Sequence, residues 1–521
     1  MSSRMEFGFT FGRPGSQQSA PLDEDAPLRI LILGDFSGAS TATDSPRKLP
    51  LGQRPVVHVD IDNFDDVLRR FAPRVQTGEN GAELLGDSIV FQTLDDFRPE
   101  GLAKNHPRIR SLLELRKRLL DPATYEQAAS QLRQGTAAIL MPADKSDNKP
   151  AASVPAPAVD DATALWGILE QQSASDSAAT AERLANPASF DIQELIRNVA
   201  APYVIPAADP RRDDYVSIVD RALSDRLSDV LRHPSFQRLE ATWRSLRGLI
   251  SSLDNDREIK IELLDVSRDE LLSDVPVDDG QLQQWSLYRR LTSDSGQASV
   301  NSPWSLIAAD LSITACRNDI ELLGALAATS ATIQTPLIAA AHSSLLGIAS
   351  LVESPDPSEW PPLDSGIEEY WQSLRCSPAA MWIGLSLPRV LLRLPYGKET
   401  DEVETFPFEE FSQTWQHEDY LWGNAAWLLA GLVAKAFAEE GASMQLGSQL
   451  DIEELPAHTF HAEGEDRLQP CAEVAFGGRT AEAILERGLM PLISWKDRNA
   501  IRFVRFQSIA EPLTRLAGRW S

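Results

Sequence analysis

The segment His233-Pro234-Ser235-Phe236-Gln237-Arg238-Leu239-Glu240-Ala241-Thr242-Trp243-Arg244-Ser245-Leu246-Arg247-Gly248-Leu249 sets its bulky apolar residues at helical spacing. Phe236, Leu239, Trp243, Leu246 and Leu249 follow one another at intervals of three or four, so they share one helix face, while Gln237, Arg238, Glu240 and Arg244 fall mostly elsewhere. Pro234 stands where a first helical turn accepts proline. Just upstream, Val216, Val219, Leu223, Leu227 and Val230 mark a second helix that ends before it. The expectation is two packed helices joined at His233-Pro234.

Downstream of this pair, apolar runs alternate with helical segments. Ile259-Lys260-Ile261-Glu262-Leu263-Leu264 reads as an edge-type strand, because Lys and Glu alternate with Ile and Leu. The runs from Trp304 to Asp310, Pro336 to Ala341 and Met381 to Leu387 read as buried strands. Strands separated by helices predict an α/β (α+β mixed) fold with a largely parallel or mixed sheet. The aliphatic run from Ala325 to Val352 is broken by Gln334, Pro336 and His342, and reads as core. Trp422-Gly423-Asn424-Ala425-Ala426-Trp427 opens a small-residue helix through Phe437, suited to close packing.

Upstream, Leu28 to Leu33 predicts a buried strand ended by Gly34-Asp35-Phe36-Ser37-Gly38. Val56 to Asp60 gives another strand, and Asp62 is placed to cap a helix carrying Phe64, Val67, Leu68 and Phe71. Ser88 to Phe91 gives a third strand, and Ile109, Leu112, Leu115 and Leu119 mark a helix closed by Asp121-Pro122. Four regions follow: an N-terminal strand and linker over 1–26, in which Phe7, Phe9 and Phe11 alternate with Gly8 and Thr10; a small α/β domain over 27–140; an Ala/Pro/Ser-rich linker over 141–188, interrupted by the apolar island Leu165 to Leu169; and a larger domain over 189–521.

Composition bounds the function. The 521 residues carry a formal net charge of -27, which disfavours both nucleic acid and anionic lipid as partners. Cys316, Cys376 and Cys471 are far apart and form no CxxC, so they suggest neither a zinc site nor a disulfide framework. The N-terminus, Met1-Ser2-Ser3-Arg4-Met5-Glu6, carries no apolar signal region, and a reducing cytoplasm is the expected setting.

Catalytic motifs are sparse. Gly34 to Gly38 lacks the Lys-Ser/Thr pair of a phosphate loop and the spacing of a dinucleotide site. His458 and His461, three apart, could sit near one another on a helix, but without HExxH or a Cys cluster they read as exposed or capping histidines. There is no GxSxG. Arg389 and Arg393 punctuate the apolar run Leu387-Pro388-Arg389-Val390-Leu391-Leu392-Arg393-Leu394-Pro395-Tyr396-Gly397 and read as partners of buried or interface carboxylates. The expectation is a protein without catalytic, cofactor or metal residues.

These segments together resemble the two sheath proteins of type VI secretion systems, joined in one chain. Leu31-Ile32-Leu33-Gly34-Asp35-Phe36-Ser37-Gly38, Val59-Asp60-Ile61-Asp62-Asn63-Phe64-Asp65 and Leu94-Asp95-Asp96-Phe97-Arg98-Pro99 follow the order of the small subunit. The helix around Trp243, Ser302-Pro303-Trp304-Ser305-Leu306-Ile307, Leu387-Pro388-Arg389, Arg393-Leu394-Pro395-Tyr396-Gly397 and Leu421-Trp422-Gly423-Asn424-Ala425-Ala426 follow that of the large subunit. The resemblance implies an intimate small–large α/β pair, here intramolecular, that stacks in rings around an inner tube, with sheath protomers, inner-tube protein, baseplate components and a recycling unfoldase as partners. It also implies C-terminal exchange strands that this chain, ending at Ser521, is expected to lack. A ring, cap or baseplate adaptor is therefore expected, with a soluble regulator or decoy of the sheath as the alternative. Phe236, Leu239, Trp243, Arg244, Arg389 and Arg393, with the alternating Phe7, Phe9 and Phe11, are the expected assembly residues.

Overall fold

The computed structural model describes residues 26–41, 49–77, 85–140, 211–253, 258–276, 279–297, 303–411, 415–462, 464–495 and 498–520. The expected linker, its apolar island and the stretch holding Phe7, Phe9 and Phe11 lie outside them.

Fifteen strands are described. Nine form the main sheet: β1 (Leu28–Gly34), β2 (Val57–Val59), β5 (Ile259–Asp265), β6 (Leu306–Ile313), β7 (Leu337–Ala341), β8 (Ile383–Leu387), β11 (Asp451–Ile452), β14 (Met490–Ser494) and β15 (Ile501–Phe503). The rest pair off as β3 (Arg74–Thr77) with β4 (Leu85–Val90), β9 (Val390–Leu391) with β10 (Trp422–Gly423), and β12 (His458–Ala462) with β13 (Glu465–Gln469). The helices are α1 (Phe64–Phe71), α2 (Pro99–Asn105), α3 (Pro107–Leu120), α4 (Tyr125–Leu140), α5 (Arg212–Leu231), α6 (Pro234–Ser251), α7 (Arg268–Ser273), α8 (Ser286–Gln297), α9 (Arg317–Ile333), α10 (Ser365–Arg375), α11 (Ala425–Glu440) and α12 (Gly478–Glu486). This is the expected mixed α/β fold.

The main sheet runs β11-β15-β14-β8-β7-β6-β1-β5-β2. From β14 to β5 every neighbouring pair is parallel, while β2, β15 and β11 join antiparallel at the two ends. A parallel sheet is covered on both faces, and its central strands are accordingly apolar throughout: all of β7 and β8 is buried. Leu31 and Leu33 share one core with Ile307, Ile320, Leu323 and Trp371. Ile30 and Ile32, also buried, alternate to the opposite face. Helix α11 packs along β6 and β7 and against α6.

Three expectations need correction. β5 is not an edge strand, since it lies between β1 and β2. Its polar alternation has another cause: Arg29 of β1 pairs with Glu262 at 2.9 Å and lays its guanidinium 4.0 Å from the Trp304 ring centroid, so that charge is neutralised inside the sheet. Asp62 does not cap α1. The Asp60 carboxylate instead accepts from the amides of Asp62 (3.1 Å) and Asn63 (2.9 Å), making the turn that precedes the helix. His458 and His461 lie on strand β12, where residues three apart point to opposite faces.

Compactness also cuts across the sequence boundaries 27–140 and 189–521. One unit draws its described residues from 1–94, 234–394 and 415–521, the other from 95–233 and 395–414. The first holds the main sheet, because β1 pairs in parallel with β5 from Leu28↔Ile259 to Gly34↔Asp265 and with β6 from Ile30↔Leu306 to Leu33↔Ala309. The second is helical. In it Arg116 of α3 pairs with Asp220 of α5 at 2.5 Å, and Arg98 grips Asp401 through two bonds of 2.7 and 3.0 Å.

Candidate functional site

Helix α6 forms as its spacing requires, and its enclosure exceeds one apolar stripe. Phe236, Leu239, Trp243, Leu246 and Leu249 are buried, and so are Glu240, Thr242 and Ser245. A helix covered on so much of its circumference is held between layers instead of lying on a surface.

Trp243 is the centre of that enclosure. Its indole Nε1 donates to the Phe36 carbonyl at 3.0 Å. Its ring meets Phe36 and Phe64 edge-on, with centroids 5.6 and 5.8 Å away, and Phe71 at 6.1 Å. Phe236 meets Phe91 at 5.9 Å. Every one of these partners belongs to the N-terminal segment that resembles the small subunit.

The turn after β1 delivers Phe36 to this pocket. Gly38 has φ +67° and lies so close to Arg74 that a Cβ would stand 2.2 Å from its carbonyl oxygen, so no other residue fits. The Asp35 carboxylate accepts from the amides of Ala39 (3.0 Å) and Ser40 (3.1 Å). Ser37 donates its amide and hydroxyl to Asp265 at 3.2 and 2.8 Å. Amides that a phosphate loop would offer to a ligand are bound here by the chain's own carboxylates.

Glu240, fully buried on α6, accepts from Arg244 one turn on at 2.7 Å and from Arg393 at 3.0 Å. Burial pushes its carboxyl up, but Arg393 and Arg244 outweigh that and hold it below the usual carboxylate range. Arg393 also donates to the Leu394 carbonyl at 3.1 Å. Thr242, two residues along α6, lies 2.7 Å from the Asp310 carboxylate of β6. Burial raises the Asp310 carboxyl above its ordinary value, against the hydrogen bonds of Thr242, Trp427 and Asn424.

Arg389 organises a neighbouring group. It donates to both Glu418 oxygens at 2.9 and 2.8 Å and to Glu473 at 2.6 Å, and lies 5.6 Å from the Trp422 ring centroid. Burial works against its charge, while Glu418 and Glu473 more than offset it, so its pKa rises. His417, Glu418 and Glu473 bring donor atoms within 4.8 Å of one another, which is the reach of a metal site. Arg389 already occupies the cation's place between the two carboxylates, and burial drives the His417 pKa down. The group is read as an ion-pair cluster.

The expected residues thus divide. Phe236, Leu239, Trp243, Arg244 and Arg393 gather on or against α6; Arg389 belongs to the second cluster, which meets the start of α6 where Gln237 donates to the Asp419 carbonyl at 3.3 Å. Phe7, Phe9 and Phe11 lie outside the described residues. Glu240 and Phe36 were not among the expected residues. The i,i+4 pairing of Glu240 with Arg244 was the signal available for the first. His458 is buried against the Tyr420 hydroxyl at 2.7 Å and His461 is exposed beside Asp466 at 3.0 Å, so they share no site.

Comparison with known proteins bears on both segments. The family described as "EvpB/VC_A0108, tail sheath N-terminal domain" matches residues 213–510, more than half of the chain. The chain belongs to the tail sheath family. The family described as "Type VI secretion system, VipA, VC_A0107 or Hcp2" matches residues 15–149 of the same sheath protein. It is 29% identical over 347 residues to the type VI secretion system sheath protein TssC1 of Pseudomonas aeruginosa, covering 65% of this chain and 68% of that relative. It is 31% identical over 106 residues to sheath protein TssB1 of the same organism, covering 19% of this chain and 58% of that relative. Large-type and small-type sheath sequences are therefore fused in one polypeptide. Among the described residues no helix of this sheath protein is long and apolar enough to cross a membrane.

Proposed function

We propose that this chain is a structural, non-catalytic subunit of a type VI secretion contractile sheath, working in the cytoplasm with the small–large pair built into one polypeptide. The observation that carries this reading is the Trp243 pocket, where the helix characteristic of the large-type segment is closed by Phe36, Phe64 and Phe71 of the small-type segment. Two sheath-type segments carried by one polypeptide need no stoichiometric control.

The sheet supports the non-catalytic part of the reading. Doubly wound sheets bind ligands beyond the carboxyl ends of the strands from which successive connections run in opposite directions. Here those strands are β1 and β6. The space at the end of β1 is filled by Phe36, Trp243 and the Thr242–Asp310 pair, and Asn424 closes it by donating to the Leu311 carbonyl at 3.0 Å.

The partners are other sheath protomers, the inner-tube protein, baseplate components and the recycling unfoldase. Phe7, Phe9 and Phe11 are assigned a strand-type contact between protomers, so removal of residues 1–12 should abolish assembly. Electron microscopy of the purified protein, alone and with the inner-tube protein and sheath subunits of its host, tests the reading. Rings or tubules containing the chain are expected; discrete complexes that never enter sedimented sheath would replace it with a soluble regulator.

A further inference from the structure

Residues 415–423 form a strap that is tied down at both ends and in the middle. Trp415 meets the Phe460 ring of β12 edge-on with centroids 4.9 Å apart, and Trp422 and Gly423, which are β10, pair with Val390 and Leu391 of β9. Between these ends Arg389, just past β8, grips Glu418 at 2.8 and 2.9 Å, and the Tyr420 hydroxyl lies 2.7 Å from Nδ1 of His458 on β12. The Trp422 indole donates to the His417 carbonyl at 3.0 Å and folds the strap on itself.

Three of the chain's seven histidines converge on this strap. His417 belongs to it and lies against the Trp422 ring, with centroids 4.8 Å apart. Its Nε2 is enclosed without a hydrogen-bond partner, 3.9 Å from Glu473. That carboxylate is already committed, because Arg389 holds one oxygen through its guanidinium at 2.6 Å and the other through its amide at 3.3 Å. His458 is buried against Tyr420. His342, just past β7, accepts from the Ser344 amide at 3.1 Å through Nδ1, a role open only to an unprotonated nitrogen. It faces Arg389, Glu418, Glu473 and Asp319, the last of which is bound by Arg268 at 3.1 Å and by the Thr314 hydroxyl at 2.5 Å. Burial lowers the pKa of all three imidazoles, and Arg389 adds to this at His342 and His417 against the pull of Glu418 and Glu473.

We propose that residues 415–423 are an acid-released strap: protonation of His342, His417 and His458 as the pH falls below about 6.5 frees the strap while the main sheet stays folded. The closed strap binds fewer protons than the open one, because the folded values lie below the ordinary one. Its stability is therefore complete above about pH 6.5 and declines as the pH falls towards those values. The central strands β1, β6, β7 and β8 carry no histidine, so the sheet lacks the same sensitivity. Opening bares Tyr420 and Trp422, which are buried in the closed strap. The strap stands on these contacts alone and does not depend on the sheath reading.

Hydrogen exchange of the full chain, read by mass spectrometry from about pH 8 to about pH 5 and corrected for the intrinsic rate at each pH, tests this. Protection of the amides in 415–423 is expected to hold above about pH 6.5 and to fall below it by up to about tenfold per pH unit for each histidine, with β7 and β8 unchanged. His417→Gln and His342→Gln should each make the fall shallower, whereas His461→Gln, at an exposed position of β12, should leave it as in the parent. Strap protection that is flat with pH in the parent would overturn the proposal without recourse to any variant. So would an undiminished slope in both the His417→Gln and His342→Gln chains, or loss of protection in β7 and β8 together with the strap, which would assign the acid sensitivity to the whole fold.

Discussion

The Trp243 indole nitrogen stands 3.0 Å from the carbonyl oxygen of Phe36, a hydrogen bond between residues 207 positions apart in sequence. It ties the large-type helix to the turn that ends β1. Trp243→Phe keeps a smaller aromatic ring but removes the donor and strands a buried carbonyl, and should cost about 1–3 kcal/mol. Trp243→Ala also opens a cavity and should cost about 3–5 kcal/mol. Urea unfolding of both variants checks the order; equal losses would mean that the aromatic packing kept by Trp243→Phe contributes nothing beyond the hydrogen bond.

Glu240 gives stability an acid limb. Its folded-state pKa is depressed, so the contribution is complete above the unfolded value of about 4.3 and is lost as pH falls through the lower folded value. Glu240→Gln should flatten that part of the profile. Arg393→Met, which leaves a buried carboxylate with Arg244 alone, should cost about 3–5 kcal/mol at pH 7.

Asp310 slopes the other way. The Thr242 hydroxyl lies 3.0 Å from the Arg238 carbonyl and 2.7 Å from the Asp310 carboxylate, to which it donates, and burial outweighs that bond in raising the Asp310 pKa. With its folded pKa raised, the folded state holds the proton longer than the unfolded chain, so stability is greatest below about pH 3.9 and declines as pH rises towards the folded value. Asp310→Asn should remove this decline and stay within about 1 kcal/mol of the parent at pH 7. A parallel slope in the variant would assign the dependence to another group.

Much of this was legible in the sequence because period and burial coincide. The runs at Leu28, Trp304, Pro336 and Met381 are strands, and the stripe from Phe236 to Leu249 is a helix, because parallel strands and enclosed helices carry their signal in uninterrupted apolar composition. β5 misled for the opposite reason. Its Glu262 looked solvent-facing, and the neutralising Arg29 lies 233 positions away, beyond any local pattern. Glu240 was hidden likewise, since Arg393 reaches it from 153 positions downstream. The compact units were invisible to composition because an inserted strand leaves no mark on its own sequence.

A cut between residues 141 and 188 should leave the two pieces associated. β1 is paired on both sides with strands from beyond the cut, and Arg116 holds Asp220 across it. A protease site placed there, followed by affinity capture of one piece at neutral pH, checks this; release of the other piece without denaturant would count against the intimate pairing.

The insertion of β1 between β5 and β6 also bears on how the protein is made. Leu28–Gly34 emerge from the ribosome long before Ile259–Asp265 and Leu306–Ile313, the strands that flank them. At about 5–20 residues per second, the delay is on the order of ten seconds to a minute. During that interval Leu28, Ile30, Leu31, Ile32 and Leu33 have neither hydrogen-bonding neighbours nor a covered face. Fusion fixes which partner the waiting strand will find, and makes the period before it arrives the part of the protein's life most exposed to aggregation and most dependent on chaperones.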